Sequence, residues 1–493
     1  MMAPQQLCKL AGFIGLMFLP ACLQAAENQQ NLLDIYQLAV NSDPVLASAR
    51  SANLASQEKI VQGRALLLPS AILNGNASHS DTEITFSGVT PFKDGAKSFE
   101  NYGYSFNVTQ PLFRMQNLVQ YQQSRIQVAQ ADKQLLRAQQ ELILRVAKAY
   151  FDVLLAQDKI ALINAQKSAI NRQLEQANAN FEVGTATITD VNEAQARYDL
   201  TLAQEIAAIN ELEVNKRAIQ SIIGQMPANL TAVRSDLNTS MPEPNDMEQW
   251  VGIAEQNNLL LLIQRQALEI ADKEVERNRA GHYPTLDAVG SYSDNRSNGS
   301  ANGFGNNLQN GTIGVQLQIP IYQGGVISSK TREAAANKQK AQDEVETARR
   351  QAALDARQAY LGVSSAVAQV KAYEQALKSS QSQLDSSNLG YEVGVRTSVD
   401  VLNAQQQLFT AKQNLLQARY QYLLSGLKLK SSAGQLNEAD LAEINQQLLK
   451  ENGAEPASPT VTVAESAAPT IPPAAKRSFD KKSATVKKGK NKP

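Results

Sequence analysis

Two hydroxyl–carboxylate pairs, Thr187-x-x-Asp190 and Thr397-x-x-Asp400, lie 210 residues apart. Each follows a glycine, in "FEVGTATITDV" (181–191) and "YEVGVRTSVDV" (391–401). A hydroxyl followed three residues on by an acid suits the start of a helix. The oxygen accepts from free backbone N–H groups, and the carboxylate favours the positive end of the helix dipole. This is chemistry of chain reversal, not of turnover. Residues suited to turnover are sparse. His79 and His282 are the only histidines, and neither sits in a cysteine or carboxylate constellation, which points away from a metal site. There is no phosphate-cradling glycine loop, nucleophile elbow or metalloprotease motif. The expectation is a non-enzymatic protein with no cofactor and no metal.

The elements that must position these pairs are themselves repeated. At the same offset Ala149-Tyr150-x-x-Val153 matches Ala359-Tyr360-x-x-Val363, and Gly224-Gln225 matches Gly434-Gln435. A string of matches at one spacing means internal duplication. Upstream of each pair the apolar period is 3.5. Leu142, Val146, Ala149, Val153, Ala156 and Ile160 step by three and four, and the seam runs on to Phe181 with one break at Lys167. The second copy, from Ala352 to Tyr391, uses smaller residues and permits close helix approach. Residues 116–181 and 326–391 are free of proline, so each predicts a helix of roughly 100 Å at 1.5 Å per residue. Gly184 and Gly394 then supply the freedom for a sharp turn, predicting two helical hairpins with tips side by side.

Before each long helix the period is two. In "NYGYSFNVT", Tyr102, Tyr104, Phe106 and Val108 share one face and Asn101, Gly103, Ser105, Asn107 and Thr109 the other. In "TIGVQLQIPIY", Ile313, Val315, Leu317 and Ile319 oppose Gly314, Gln316 and Gln318. Weaker alternation occurs over 71–79 and 285–293. Long polar segments join each pair, and Pro69, Pro111, Pro284 and Pro320 bracket them, as suits junctions between strand and helix. Apolar outside and polar inside fits a membrane barrel. Four strands cannot close one, and an open edge cannot sit in lipid. The barrel must therefore be shared with copies of the same chain.

Composition sets the compartment. Lys9, the run "LAGFIGLMFLPACL" and "QAAE" read as a secretory signal over 1–26, cut near Ala25 or Ala26. An alternative is cleavage that leaves Cys22 acylated. Cys8 and Cys22 are the only cysteines, so neither disulfides nor thiolate chemistry explain the remainder. No other stretch reaches the roughly 18 apolar residues of a membrane-spanning helix, and the mean hydropathy is −0.32. Residues 27–235 and 236–447 form the two repeats. Residues 448–493 read as a Pro/Ala-rich, basic tail without a packed core, whose last 18 residues carry eight Lys/Arg against one Asp. Export makes nucleic acid an improbable partner. Trp250 in "MEQWVGIAEQ" is expected to be a packing residue.

The paired "VG…T.DV" tips, the "QPLF" and "IPIYQGG" junctions and "RAGHYPTLD" before the third strand together resemble the TolC family of outer-membrane efflux proteins, over about 30–445. The resemblance implies a mixed α and β membrane protein, a homotrimer with a 12-stranded barrel, four strands per protomer, in outer-membrane lipid. Beneath it would hang a periplasmic coiled-coil tunnel with a smaller mixed α/β equatorial belt. It implies a passive exit duct for drugs, small molecules or proteins. The duct would serve a periplasmic membrane-fusion adaptor and, through it, an inner-membrane antiporter or ATP-driven pump. By the same resemblance Tyr391 and Arg396 bond to Thr189 and Asp190 as a latch, and Asp400 and Asn403 line the narrowest part of the entrance. Val183, Gly184, Thr185, Val393, Gly394 and Val395 form the adaptor-facing tips. Two other classes stay open on the residues alone, a stand-alone diffusion channel and a periplasmic coiled-coil scaffold.

Overall fold

The computed structural model describes residues 29–448, apart from 92, 234–236 and 301–302. The signal segment, Cys22 and the tail from 449 onwards lie outside the described residues, which all belong to a single unit. The chain opens with α1 (Leu32–Ser42) and α2 (Pro44–Ala65). Asp43 caps α2 by accepting from the Leu46 N–H, and Pro44 occupies the first turn, where a missing N–H costs nothing. Strands β1 (Ser70–Ile84) and β2 (Gly95–Phe113) follow, then α3 (Met115–Glu182) and the returning α4 (Ile188–Ile223). The second half holds α5 (Met247–Asn257), α6 (Leu259–Arg279), β3 (Thr285–Ser297), β4 (Asn306–Gln318), α7 (Val326–Glu392), α8 (Ser398–Ser432) and α9 (Glu438–Leu448).

The four strands form one antiparallel sheet in chain order, β1-β2-β3-β4. Residues directly opposed across such a ladder share a face. Tyr292 opposes Phe106 and Gly311, and Gly290 opposes Val108 and Ile313. One residue along, Ser291 opposes Asn107 and Thr312, and Ser293 opposes Ser105 and Asn310. The sheet is therefore apolar on one side and hydroxyl- and amide-rich on the other. Leu73, Ile313, Val315 and Leu317 stay exposed on the apolar side. Among the described residues, β1 and β4 each have only one neighbouring strand.

Below the sheet the helices lie in a row. α2 packs on α3, α3 on α6 and α6 on α7; farther along, α4 lies on α3 and α8 on both α7 and α3. α3 has 68 residues and α7 has 67. Their buried stripes follow the 3.5 period, through Leu142, Val146, Val153 and Ala156 in α3 and Ala352, Ala356, Val363 and Ala366 in α7. The break at Lys167 has a local cause: its ammonium reaches the Glu205 carboxylate on α4 at 2.5 Å. The main core gathers midway along α3, where Tyr150 and Phe151 are enclosed by α1, α4, α8 and α9. Tyr150 donates to the Thr231 carbonyl at 2.7 Å, and burial pushes its hydroxyl pKa well above the usual phenol value. Around this level sit the short helices α1, α5 and α9, with one parallel bridge, Gln30 to Leu230. Trp250 is buried there against Val363, Val367 and Leu429, and its indole N–H donates to the Pro244 carbonyl at 2.8 Å.

Candidate functional site at the hairpin tips

Both long helices end in the same five-residue reversal. Val183 and Val393 cap α3 and α7, and Gly184 and Gly394 each take φ +76°. The N–H groups of Thr185 and Ala186 then fold back onto the Asn180 carbonyl, and those of Val395 and Arg396 onto the Gly390 carbonyl. A Cβ at either glycine would meet nothing within 4 Å. Backbone handedness rather than space therefore requires glycine. Thr187 and Thr397 open the returning helices as capping boxes: each hydroxyl accepts from the N–H three residues on, and the aspartate side chain accepts from the threonine N–H at 2.9 Å. The turns leave Val183, Val393 and Val395 65–75% exposed, an apolar rim that Phe181, Ile188 and Leu389, also exposed, extend.

The two tips differ in what they hold. Asn180 and Gly390 are equivalent under the 210-residue offset. Asn180 donates its side-chain amide to the Tyr391 hydroxyl at 3.1 Å, tying the first tip to the second. Gly390 leaves room for Arg396, whose Cγ would lie 2.6 Å from a Cβ there. The Arg396 guanidinium ends 4.0 Å from Asp400 Oδ1. Within the protomer, Tyr391 and Arg396 are thus not brought onto Thr189 and Asp190. Thr189 is exposed, and Asp190 Oδ2 is engaged by the Thr187 N–H and hydroxyl.

Asp400 and Asn403 lie one turn apart on α8. The Thr397 backbone N–H, then its hydroxyl, and more weakly Arg396 hold the Asp400 carboxyl below the usual range. Asn403 Oδ1 accepts from Arg197 Nη2 on α4 at 2.8 Å, and Arg197 also binds Glu193. Sequence reading missed both Asn180 and Arg197. The Glu193-to-Arg197 spacing suggests a helix-surface ion pair, but no spacing announces a partner 206 residues away. Above the tips, neutral rungs join α3 to α8. Gln173 meets Ser398 at 3.5 Å and Gln166 meets Gln406 at 2.9 Å; Asn180, Gln173 and Gln166 stand seven residues apart. The next rung up is charged. Tyr420 donates to Asp158 at 2.6 Å, and burial raises both pKa values. Among the described residues no group of three or more His, Cys, Asp or Glu is placed to hold a metal ion, and no helix is long and apolar enough to cross a membrane.

The family model described as "Outer membrane efflux protein" matches residues 35–225 and 250–435. The outer membrane protein TolC of Escherichia coli K12 is 33% identical over 452 residues, covering 90% of this chain and 88% of that one. The alkaline protease secretion protein AprF of Pseudomonas aeruginosa is 32% identical over 413 residues, 83% of this chain and 85% of that one. In fold, the chain resembles the Campylobacter jejuni CmeC outer membrane channel, with a TM-score of 0.69 at 16% identity, over 90% of this chain and 98% of that one. A model matched in both halves, and identity with TolC along nearly the whole length, place the sheet, the long helices and the paired tips together: the chain belongs to the outer membrane efflux protein family.

Proposed function

We propose that the chain is one protomer of a homotrimeric channel-tunnel, the exit duct through which an inner-membrane antiporter or ATP-driven pump, coupled by a periplasmic adaptor, sends drugs or proteins out of the cell. One observation carries the reading: a two-faced sheet with open outer strands stands on helices of about 100 Å that end in paired reversals. Three copies would close a barrel of 12 strands and set six tips in a ring. The apolar face would meet lipid and the Ser/Asn face water. Kinship with a protein named for protease secretion supports protein cargo beside small molecules. A stand-alone porin would have no use for helices of this length.

In this reading Val183, Gly184, Thr185, Val393, Gly394 and Val395 face the adaptor, and a photo-crosslinking residue at Thr185 or Val395 should capture one in living cells. Capture of the neighbouring protomer alone would remove the adaptor from the scheme. Three Asp400 carboxylates would ring the entrance. The purified trimer in a planar bilayer should conduct, and a trivalent cation on the periplasmic side should block it. Because the Asp400 pKa is lowered, its charge is fully present above the ordinary aspartate pKa and is lost only as pH falls through the lower folded value. Block should therefore hold at pH 5 and fade only below about pH 4, and Asp400→Asn should abolish it. Block that survives Asp400→Asn would place the cation elsewhere.

A further inference from the structure

We propose that Arg197 is an additional gate residue, a clasp from the first hairpin onto the second that also withholds position 403 from the lumen. The inference rests on the channel reading above. Under the 210-residue offset Glu193 and Asn403 are the same position in the two repeats. Arg197 takes both at once, Glu193 Oε1 at 3.1 Å and Asn403 Oδ1 at 2.8 Å. The planar guanidinium has enough donors in fixed directions to serve two acceptors, which a lysine ammonium does less well. Arg197's own equivalent is Gln407, so the clasp exists once per protomer and breaks the repeat.

The surroundings make this contact unlike the others that join the hairpins near the tips. The rungs at Asn180, Gln173 and Gln166 pair neutral groups, whereas Arg197 brings a full charge. Its side chain is 26% exposed and held against α4, but Asn403 is exposed and the bond lies at the surface, where water and salt reach it. It sits one turn from Asp400, which is already flanked by Arg396. Any widening that lifts α8 off α4 must break it. The acceptor at 403 is a neutral amide, so the clasp is weaker than a carboxylate would make it and can release without stranding a charge. Arg197 also neutralises Glu193, leaving Asp400 as the charge at this level of α8. An acid at 403 would be held by the same guanidinium instead of joining an Asp400 ring.

Single-channel recording in planar bilayers tests this with Arg197→Gln, Asn403→Asp and the double variant. Heat-sensitive trimers on a gel serve as the check of assembly. Arg197→Gln is expected to raise conductance by about twofold or more. Asn403→Asp alone is expected to leave trivalent-cation block near wild type and to lower conductance, because the clasp becomes an ion pair. In the double variant the freed carboxylates tighten block by about tenfold. Wild-type conductance in Arg197→Gln, or equal tightening by Asn403→Asp with and without Arg197, overturns the clasp. Should Arg197→Gln fail to trimerise, Arg197→Lys, which keeps the charge and loses the fork, is compared in the same way. Failure of the channel reading looks different: the wild-type trimer itself carries no current.

Discussion

Tyr391→Phe combined with Arg396→Glu is expected to open the tunnel, so that the variant trimer conducts several-fold more current than wild type in a planar bilayer. Phenylalanine removes the acceptor that Asn180 uses to tie the two tips of a protomer. A net hydrogen bond of about 1 kcal/mol, taken three times over a common gate, shifts the closed-to-open ratio by roughly a hundredfold. Glutamate at 396 replaces a weak attraction, 4.0 Å from Asp400 and well exposed, with like charges one turn apart. It also puts an acid where the proposed latch needs a cation for Asp190 of a neighbouring tip. Unchanged conductance from intact trimers would remove Tyr391 and Arg396 from the gate.

Gly434→Ala is expected to have a comparable effect on the stability of the assembly rather than on current. Gly434 takes φ +70° as the chain leaves α8, and a Cβ there would collide with the Asn257 carbonyl, with its carbon at 2.7 Å. Asn257 and Asn258 form the junction of α5 and α6, and the Asn258 side chain holds the Ser432 carbonyl at 2.9 Å. Left-handed strain of about 1–2 kcal/mol adds to overpacking of about 1–3 kcal/mol, enough to push the α5–α6 junction away from the end of α8. Gly224, its repeat equivalent, has φ +77° but meets nothing nearer than Ser42 Cβ at 3.9 Å. Gly224→Ala therefore carries only the backbone strain. Thermal dissociation of the trimer should drop much further for Gly434→Ala than for Gly224→Ala. Equal losses would mean that the close approach to Asn257 is relieved at no cost.

Much of this architecture is legible in the sequence because it rests on periodicity. The alternation at 101–109 and 313–317 lies within β2 and β4, and the 3.5-residue seam lies along α3 and α7. The turn glycines are legible because only glycine accepts φ +76° without strain. The belt is harder to read, since short helices such as α5 and α9 carry little pattern and, among the described residues, its only bridge joins Gln30 to Leu230. The tip chemistry is hardest. Asp190 and Asp400 announce themselves as caps, but Asn180–Tyr391 and Arg197–Asn403 join residues more than 200 apart in sequence. Such pairs follow from how two hairpins lie side by side, which no local spacing encodes. Even the Lys167 break in the seam becomes intelligible only once Glu205 is seen opposite it.

The single neighbours of β1 and β4 have a consequence for heredity. A copy in the trimer proposed here cannot satisfy its sheet edges until two others join it, so a cell that makes two alleles equally builds mixed barrels, and only about one in eight is wholly wild type. A leaky tip such as Tyr391→Phe with Arg396→Glu assembles normally and spoils most of those barrels, and the permeability it causes should be dominant. Gly434→Ala, which lowers the yield of folded copies that can enter a barrel, takes few partners with it and should be recessive. The dominance pattern of an allele in a merodiploid strain thus tells whether its lesion lies in the gate or in the fold.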